Sequence, residues 1–155
     1  MNLKQLLSFV LTSAALLGLA GATSSQELAA AGTTVKVPAD QIKFVTSGIR
    51  QHGGEIFLGR AFGDVQNGKH GTFMKFTPGF RSLLHSHTFD YYAVVVKGVM
   101  SNPEKGEKDS PLPVGSYWYQ KGGEPHSTKC LSKNEECIIF LVSDGKFDAQ
   151  VLEKE

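Results

Sequence analysis

Two histidines one residue apart, His85 and His87, stand in the stretch FRSLLHSHTFDYYAVVVKG, at the mouth of a β-branched run. Alternate residues of an extended chain point to the same side, so both imidazoles would face one side of a sheet and offer two nitrogens to one metal ion. Neutral imidazole suits Fe, Zn, Mn, Ni or Cu, and a histidine must shed its proton to bind, so metal affinity is expected to fall below about pH 6. Alone, a His-x-His pair is weak evidence, because exposed strands carry such pairs without any metal. Two further histidines, His52 in IRQHGG and His70 in QNGKHG, sit beside glycines and read as turn or surface residues.

The elements that must position such a pair are short. After residue 34 the chain runs through VKV, IKFV, EIFLG, GTFMKF, YYAVVVKGVM, GSYWYQ and CIIFLVSD, with separators rich in Gly, Pro, Asn and Asp. No stretch after residue 23 sustains a helical apolar period over three turns, so an all-β sandwich or barrel is expected, with few helices. The segment Ser101 to Pro113 is charged and proline-bearing and reads as a solvated connection. Phe73, Phe76, Tyr117, Trp118 and Phe140 read as barrel packing.

Residues 1–22, MNLKQLLSFVLTSAALLGLAGA, carry one lysine, a short apolar run and a small-residue exit, which reads as a secretory signal peptide. Residues 23–34 read as a flexible leader and 35–155 as one domain, secreted or periplasmic. The full chain has 16 basic and 15 acidic residues. Near-neutral charge without a basic stripe excludes nucleic acid as the expected partner, and no membrane association is expected once the signal is cleaved. About 130 residues can bury a core without help from a metal, so a metal here would serve function more than folding.

The spacing around the histidines resembles the two motifs of the cupin superfamily. In the first, five residues separate a glycine from His-x-His, and a glutamate and a second glycine follow; Gly79, His85, His87 and Gly98 match it. In the second, Gly115, Gly123 and His126 match, within GSYWYQKGGEPH. Among cupins the chain is similar to small secreted single-domain members of uncharacterised function. The resemblance implies an antiparallel jelly-roll barrel in which His85, His87 and His126 converge on one divalent transition metal. It also implies a homodimer paired through edge strands.

Three positions depart from the motifs. Tyr91 stands in place of the first motif's glutamate, Lys121 in place of a proline, and Cys130 in place of an asparagine. Three neutral histidines leave a divalent ion its full charge, so an anionic, chelating small molecule is the expected ligand. Tyr91, with a reference pKa of about 10, has two readings: a donor or ligand at the metal, or a ring that packs with its hydroxyl satisfied. Asp90 should face away from the site if its strand is regular, and Glu124 is a candidate ligand or supporting group.

Cys130 and Cys137 bracket the polar segment LSKNEE, which reads as a turn between strands that would bring them within disulfide reach. If the protein is an enzyme, its likeness to three-histidine cupins implies an iron-type dioxygenase. The other class is a non-catalytic carrier or sensor of a metal or small ligand. No nucleophile beside a base and no phosphate loop is visible, so the sequence leaves the two open.

Overall fold

The structure, a computed structural model, describes residues 34–152; the expected signal peptide and all but the last residue of the expected leader lie outside the described residues. Among the described residues, ten strands follow a single 3-10 turn at Ala39–Gln41. In chain order they are β1 (Phe44–Gln51), β2 (Gly54–Gly63), β3 (His70–Phe76), β4 (His85–Ser86), β5 (Tyr91–Lys97), β6 (Met100–Ser101), β7 (Tyr117–Gln120), β8 (Lys129–Cys130), β9 (Cys137–Ser143) and β10 (Gln150–Val151). Six form an antiparallel sheet in the order β1-β2-β3-β9-β5-β7, and the pairs β10-β4 and β6-β8 complete a jelly roll.

Alternation builds the barrel. Along β3 the buried side chains are His70, Thr72, Met74 and Phe76; along β9, Cys137, Ile139, Leu141 and Ser143; along β5, Tyr91, Ala93 and Val95. Register stacks these rows into layers across neighbouring strands. One is polar, with His70 opposite Ser143, Ser143 opposite Tyr91, and Tyr91 opposite Gln120. Below it Thr72, Leu141, Ala93 and Trp118 align, and then Met74, Ile139 and Val95. The core therefore becomes apolar with distance from the polar layer.

Turn chemistry follows the residues. His52 and Gly53 both have positive φ, 46° and 76°, and join β1 to β2 as the two-residue hairpin that such residues favour. Gly98, the closing glycine of the first motif, has φ 73°, and a Cβ there would lie 2.9 Å from Cys137 Sγ. Cys130 and Cys137 form a disulfide with their Cα atoms 5.6 Å apart, as their spacing suggested. On the chain-entropy account, closing so short a loop contributes roughly 2–3 kcal/mol.

Three expectations need correction. His70 is not a surface residue: it opens β3 at an inward position and is fully buried. Ser101 and Asn102, placed by sequence in a solvated connection, enter the interior, where Asn102 Nδ2 donates to Gln120 Oε1 and Thr128 Oγ1 donates to Asn102 Oδ1. Tyr117 faces solvent at 73% exposure, because it alternates with the inward Trp118 and Gln120 on β7.

Candidate metal centre

Main-chain bonds bring the two motifs together. His85 N–H donates to His126 O at 3.0 Å, His126 N–H returns a bond to His85 O at 2.9 Å, and Gly123 N–H donates to His87 O at 2.8 Å. Gly123 has φ 80°, a conformation open to glycine at little cost, which turns its amide toward the first motif. His85 lies on β4, His87 just beyond it, and a bend at Thr88–Phe89 separates both from β5. The pair thus sits on a short strand of its own, held by β10 on one side and His126 on the other.

All three histidines are buried, at 8%, 3% and 0% exposure for His85, His87 and His126. One ring nitrogen from each lies within 4.8 Å of the others. Each Nδ1 meets a main-chain carbonyl: His85 with Leu83 O at 2.8 Å, His126 with Glu124 O at 3.1 Å, and His87 with Asp148 O. A carbonyl only accepts, so each Nδ1 must carry the proton and each Nε2 must present a lone pair. This is how proteins set the tautomer of a metal-binding histidine. The donor set therefore fits a divalent transition metal.

Protonation follows the same burial. Desolvation is the main cause in each ring, and it holds His85 below the ordinary 6.5. Burial outweighs the Asp148 carbonyl and lowers His87 to about 4, while burial and then repulsion from His85 lower His126 to about 3. The cluster is neutral at physiological pH without needing a metal to strip its protons.

Tyr91 points into this cluster. Its Oη lies 3.3 Å from His126 Nε2, and because that nitrogen is the acceptor, the phenol donates. Trp118 Nε1–H donates to Tyr91 Oη at 3.4 Å. Burial raises the phenol above its ordinary pKa, and only in part is this offset by Trp118, Asn102 and Thr128, so it stays protonated. Asp90 faces outward as expected, accepting from Gly122 N–H and Tyr119 Oη–H. The side chain of Glu124 pairs with Lys121 at the surface, and it is the Glu124 carbonyl that supports His126.

A cavity of ≈ 290 Å³ opens beside His85, His87 and Tyr91. Its walls include Met74, Phe76, Phe80, Ile139, Leu141 and Phe147. Sequence reading missed Phe147, whose ring centroid lies 4.3 Å from that of His87 and 5.7 Å from that of Tyr91. An aromatic residue inside the turn-rich SDGKFDAQ was its one signal. His70 lies behind Phe147, its Nδ1 at 2.8 Å from Thr72 Oγ1 and its Nε2 without a hydrogen-bond partner among the described residues. Neither His70 nor His52 joins the metal cluster.

Residues 53–129, which include all three histidines, match the model of a domain of unknown function, DUF4437. No curated protein matches the chain. Among solved structures, the polyketide cyclase RemF of Streptomyces resistomycificus is similar with a TM-score of 0.63 and 16% identity, over 79% of this chain and 88% of that one. A cupin-like protein of Thermotoga maritima is similar with a TM-score of 0.56 and 19% identity, over 70% and 86%. A cupin-superfamily sugar phosphate isomerase of Silicibacter pomeroyi is similar with a TM-score of 0.58 and 15% identity, over 77% and 82%. At these identities the likeness speaks for the fold.

Proposed function

We propose that this chain, which has the cupin fold, holds one divalent transition metal on His85, His87 and His126 and binds a small molecule in the adjoining cavity. One observation carries the reading: three main-chain carbonyls fix three Nδ1–H tautomers and leave each Nε2 a lone pair, in three buried rings that each bring a nitrogen within 4.8 Å of the others. No core requirement explains such an arrangement, since three clustered neutral imidazoles with aligned acceptors gain little by packing alone.

A bound divalent metal would supply Lewis acidity and positive charge to an oxygen of the ligand. The protein's own contribution is positional. His126 Nε2, the present acceptor of the Tyr91 proton, is the atom a metal would occupy, so metal uptake leaves the phenol free to donate to a ligand head group. Trp118 holds Tyr91 Oη in place while burial keeps it protonated, and the walls exclude water from one side. This supports Tyr91 as a hydrogen-bond donor, with the site placed for either binding or chemistry on a bound anion. The disulfide supports a protein exported to an oxidising compartment.

Untagged protein should bind close to one equivalent of Fe, Zn, Mn, Ni or Cu by elemental analysis after buffer exchange. Less than a tenth of an equivalent after challenge with each metal would refute the reading. The Tyr91→Phe variant should take up metal at least as well as the parent, because a competing bond to Nε2 is gone, yet lose about tenfold in affinity for a metal-directed anion such as acetohydroxamate. Equal anion affinity in both proteins would return Tyr91 to a packing role.

A further inference from the structure

The cavity's polarity is concentrated at one end. Of its sixteen lining residues none is Asp, Glu, Lys or Arg, and ten are apolar in side chain. The other polar side chains each make a bond that holds the barrel: Gln51 Oε1 accepts from Leu83 N–H at 2.9 Å, Ser82 Oγ accepts from Thr128 N–H at 2.7 Å, and Thr128 Oγ1 donates to Asn102 Oδ1 at 2.9 Å. Ser82 and Thr128 stand at the metal end as well, Ser82 Oγ 3.3 Å from His85 Nδ1 and Thr128 beside the Tyr91 hydroxyl, so Gln51 is the one polar side chain elsewhere in the lining. A ligand's polar atoms therefore meet the three-nitrogen cluster, the Tyr91 hydroxyl and the hydroxyls beside them at one end, and Gln51 Nε2–H alone elsewhere in the lining.

This decides against two ligand classes. A second anionic group, such as a phosphate, would lie among Phe76, Ile139 and Leu141 with no cation to meet it, and an unpaired buried charge is far costlier than an unpaired hydroxyl. A sugar or polyol would bury several hydroxyls with too few partners, each costing roughly 1–3 kcal/mol. An apolar body loses nothing there and removes its surface from water. The volume, ≈ 290 Å³, equals that of about ten waters and lies at the small end of ligand pockets.

We propose that the pocket takes a compact apolar molecule, aromatic or branched, carrying one oxygen-bearing chelating head and no second charged group. The head lies at the histidines and Tyr91, and the body reaches along Phe80, Met74 and Ile139 toward Ile56. The proposal rests on the metal reading for its head group alone. The apolar walls stand independently of it.

Three hydroxamates with one head and different bodies test this on Co(II)-loaded protein, read by the cobalt absorption spectrum: acetohydroxamate, benzohydroxamate and gluconohydroxamate. Benzohydroxamate should bind at least tenfold more tightly than acetohydroxamate, and gluconohydroxamate no more tightly than acetohydroxamate. Filling the cavity by Ile56→Phe, or by Ala149→Phe at its exposed mouth should the first fail to fold, should erase most of the phenyl preference, with cobalt content measured for each variant. Equal affinity for the three probes, or a preference for the polyol, overturns the proposal while leaving the metal reading intact. On metal-free protein, benzyl alcohol should show saturable binding by ligand-observed NMR that the same variants abolish. If no metal binds but this persists, the metal reading fails and the apolar pocket stands; if benzyl alcohol does not bind, the apolar pocket fails.

Discussion

His126→Ala should lower metal affinity more than about 100-fold, beyond the 10- to 100-fold typical of losing a supporting group around a ligand. His126 has no exposed surface, bonds to His85 through both main-chain directions, and accepts the Tyr91 proton, so no solvent or neighbouring side chain stands ready to replace it. Alanine also leaves a void and an orphaned phenol, which would lower stability on their own account. His126→Gln, closer in size, separates the effects: it should recover part of the stability and little of the metal affinity. A competition titration with a chromophoric chelator measures both variants against the parent. An affinity loss under threefold in His126→Gln would mean that His126 is no ligand.

Acid should destabilise the metal-free protein from pH 6.5 downward. An unfolded histidine takes a proton near its ordinary 6.5, whereas His87 does so at about 4 and His126 at about 3 while folded. Between those values the unfolded state binds more protons, so stability is full above pH 6.5 and declines as pH falls toward the folded values. The shift of His87 alone corresponds to about 3 kcal/mol once pH drops below 4. Urea midpoints measured from pH 7.5 to 4 should fall accordingly, and His87→Phe should flatten part of that slope. A midpoint independent of pH in the parent would contradict buried, neutral imidazoles.

The same physics moves the acid limit on metal binding. Unperturbed imidazoles would lose metal below about pH 6, but His87 and His126 are already neutral well below that, so uptake by these two rings displaces no proton from the folded site. His85 is held below its ordinary value too, so affinity should fall by no more than about tenfold per pH unit from pH 7 to about 5, the most that one titrating ring can cost. A loss of about a hundredfold or more per pH unit in that range would show that His87 or His126 titrates freely.

What the sequence determined by itself was whatever depends on residue type at fixed spacing. Alternating runs broken by Gly, Pro and Asn specified a β barrel, since a period of two suits only a sheet with one face buried. His85, His87 and His126 were legible because few side chains ligate metals and the motif glycines gave them a frame. Cys130 and Cys137 were legible because seven residues is a hairpin's separation. Tyr91 was found as a departure from that frame, with its role left open.

Tertiary structure alone decided the rest, because it turns on groups every residue carries or on distant segments meeting. The carbonyls of Leu83, Glu124 and Asp148 fix the histidine tautomers, yet a carbonyl has no sequence signature. His70 beside glycine resembled a turn residue, until register placed it in the same buried layer as Tyr91. Phe147 meets His87 from sixty residues away, and Asn102 leaves a polar loop to bind Gln120 and Thr128. Above all, the expectation of an anionic ligand came from the charge of one ion, whereas the uncharged, largely apolar wall that limits what else the ligand can carry exists only once β2, β3, β5 and β9 have closed.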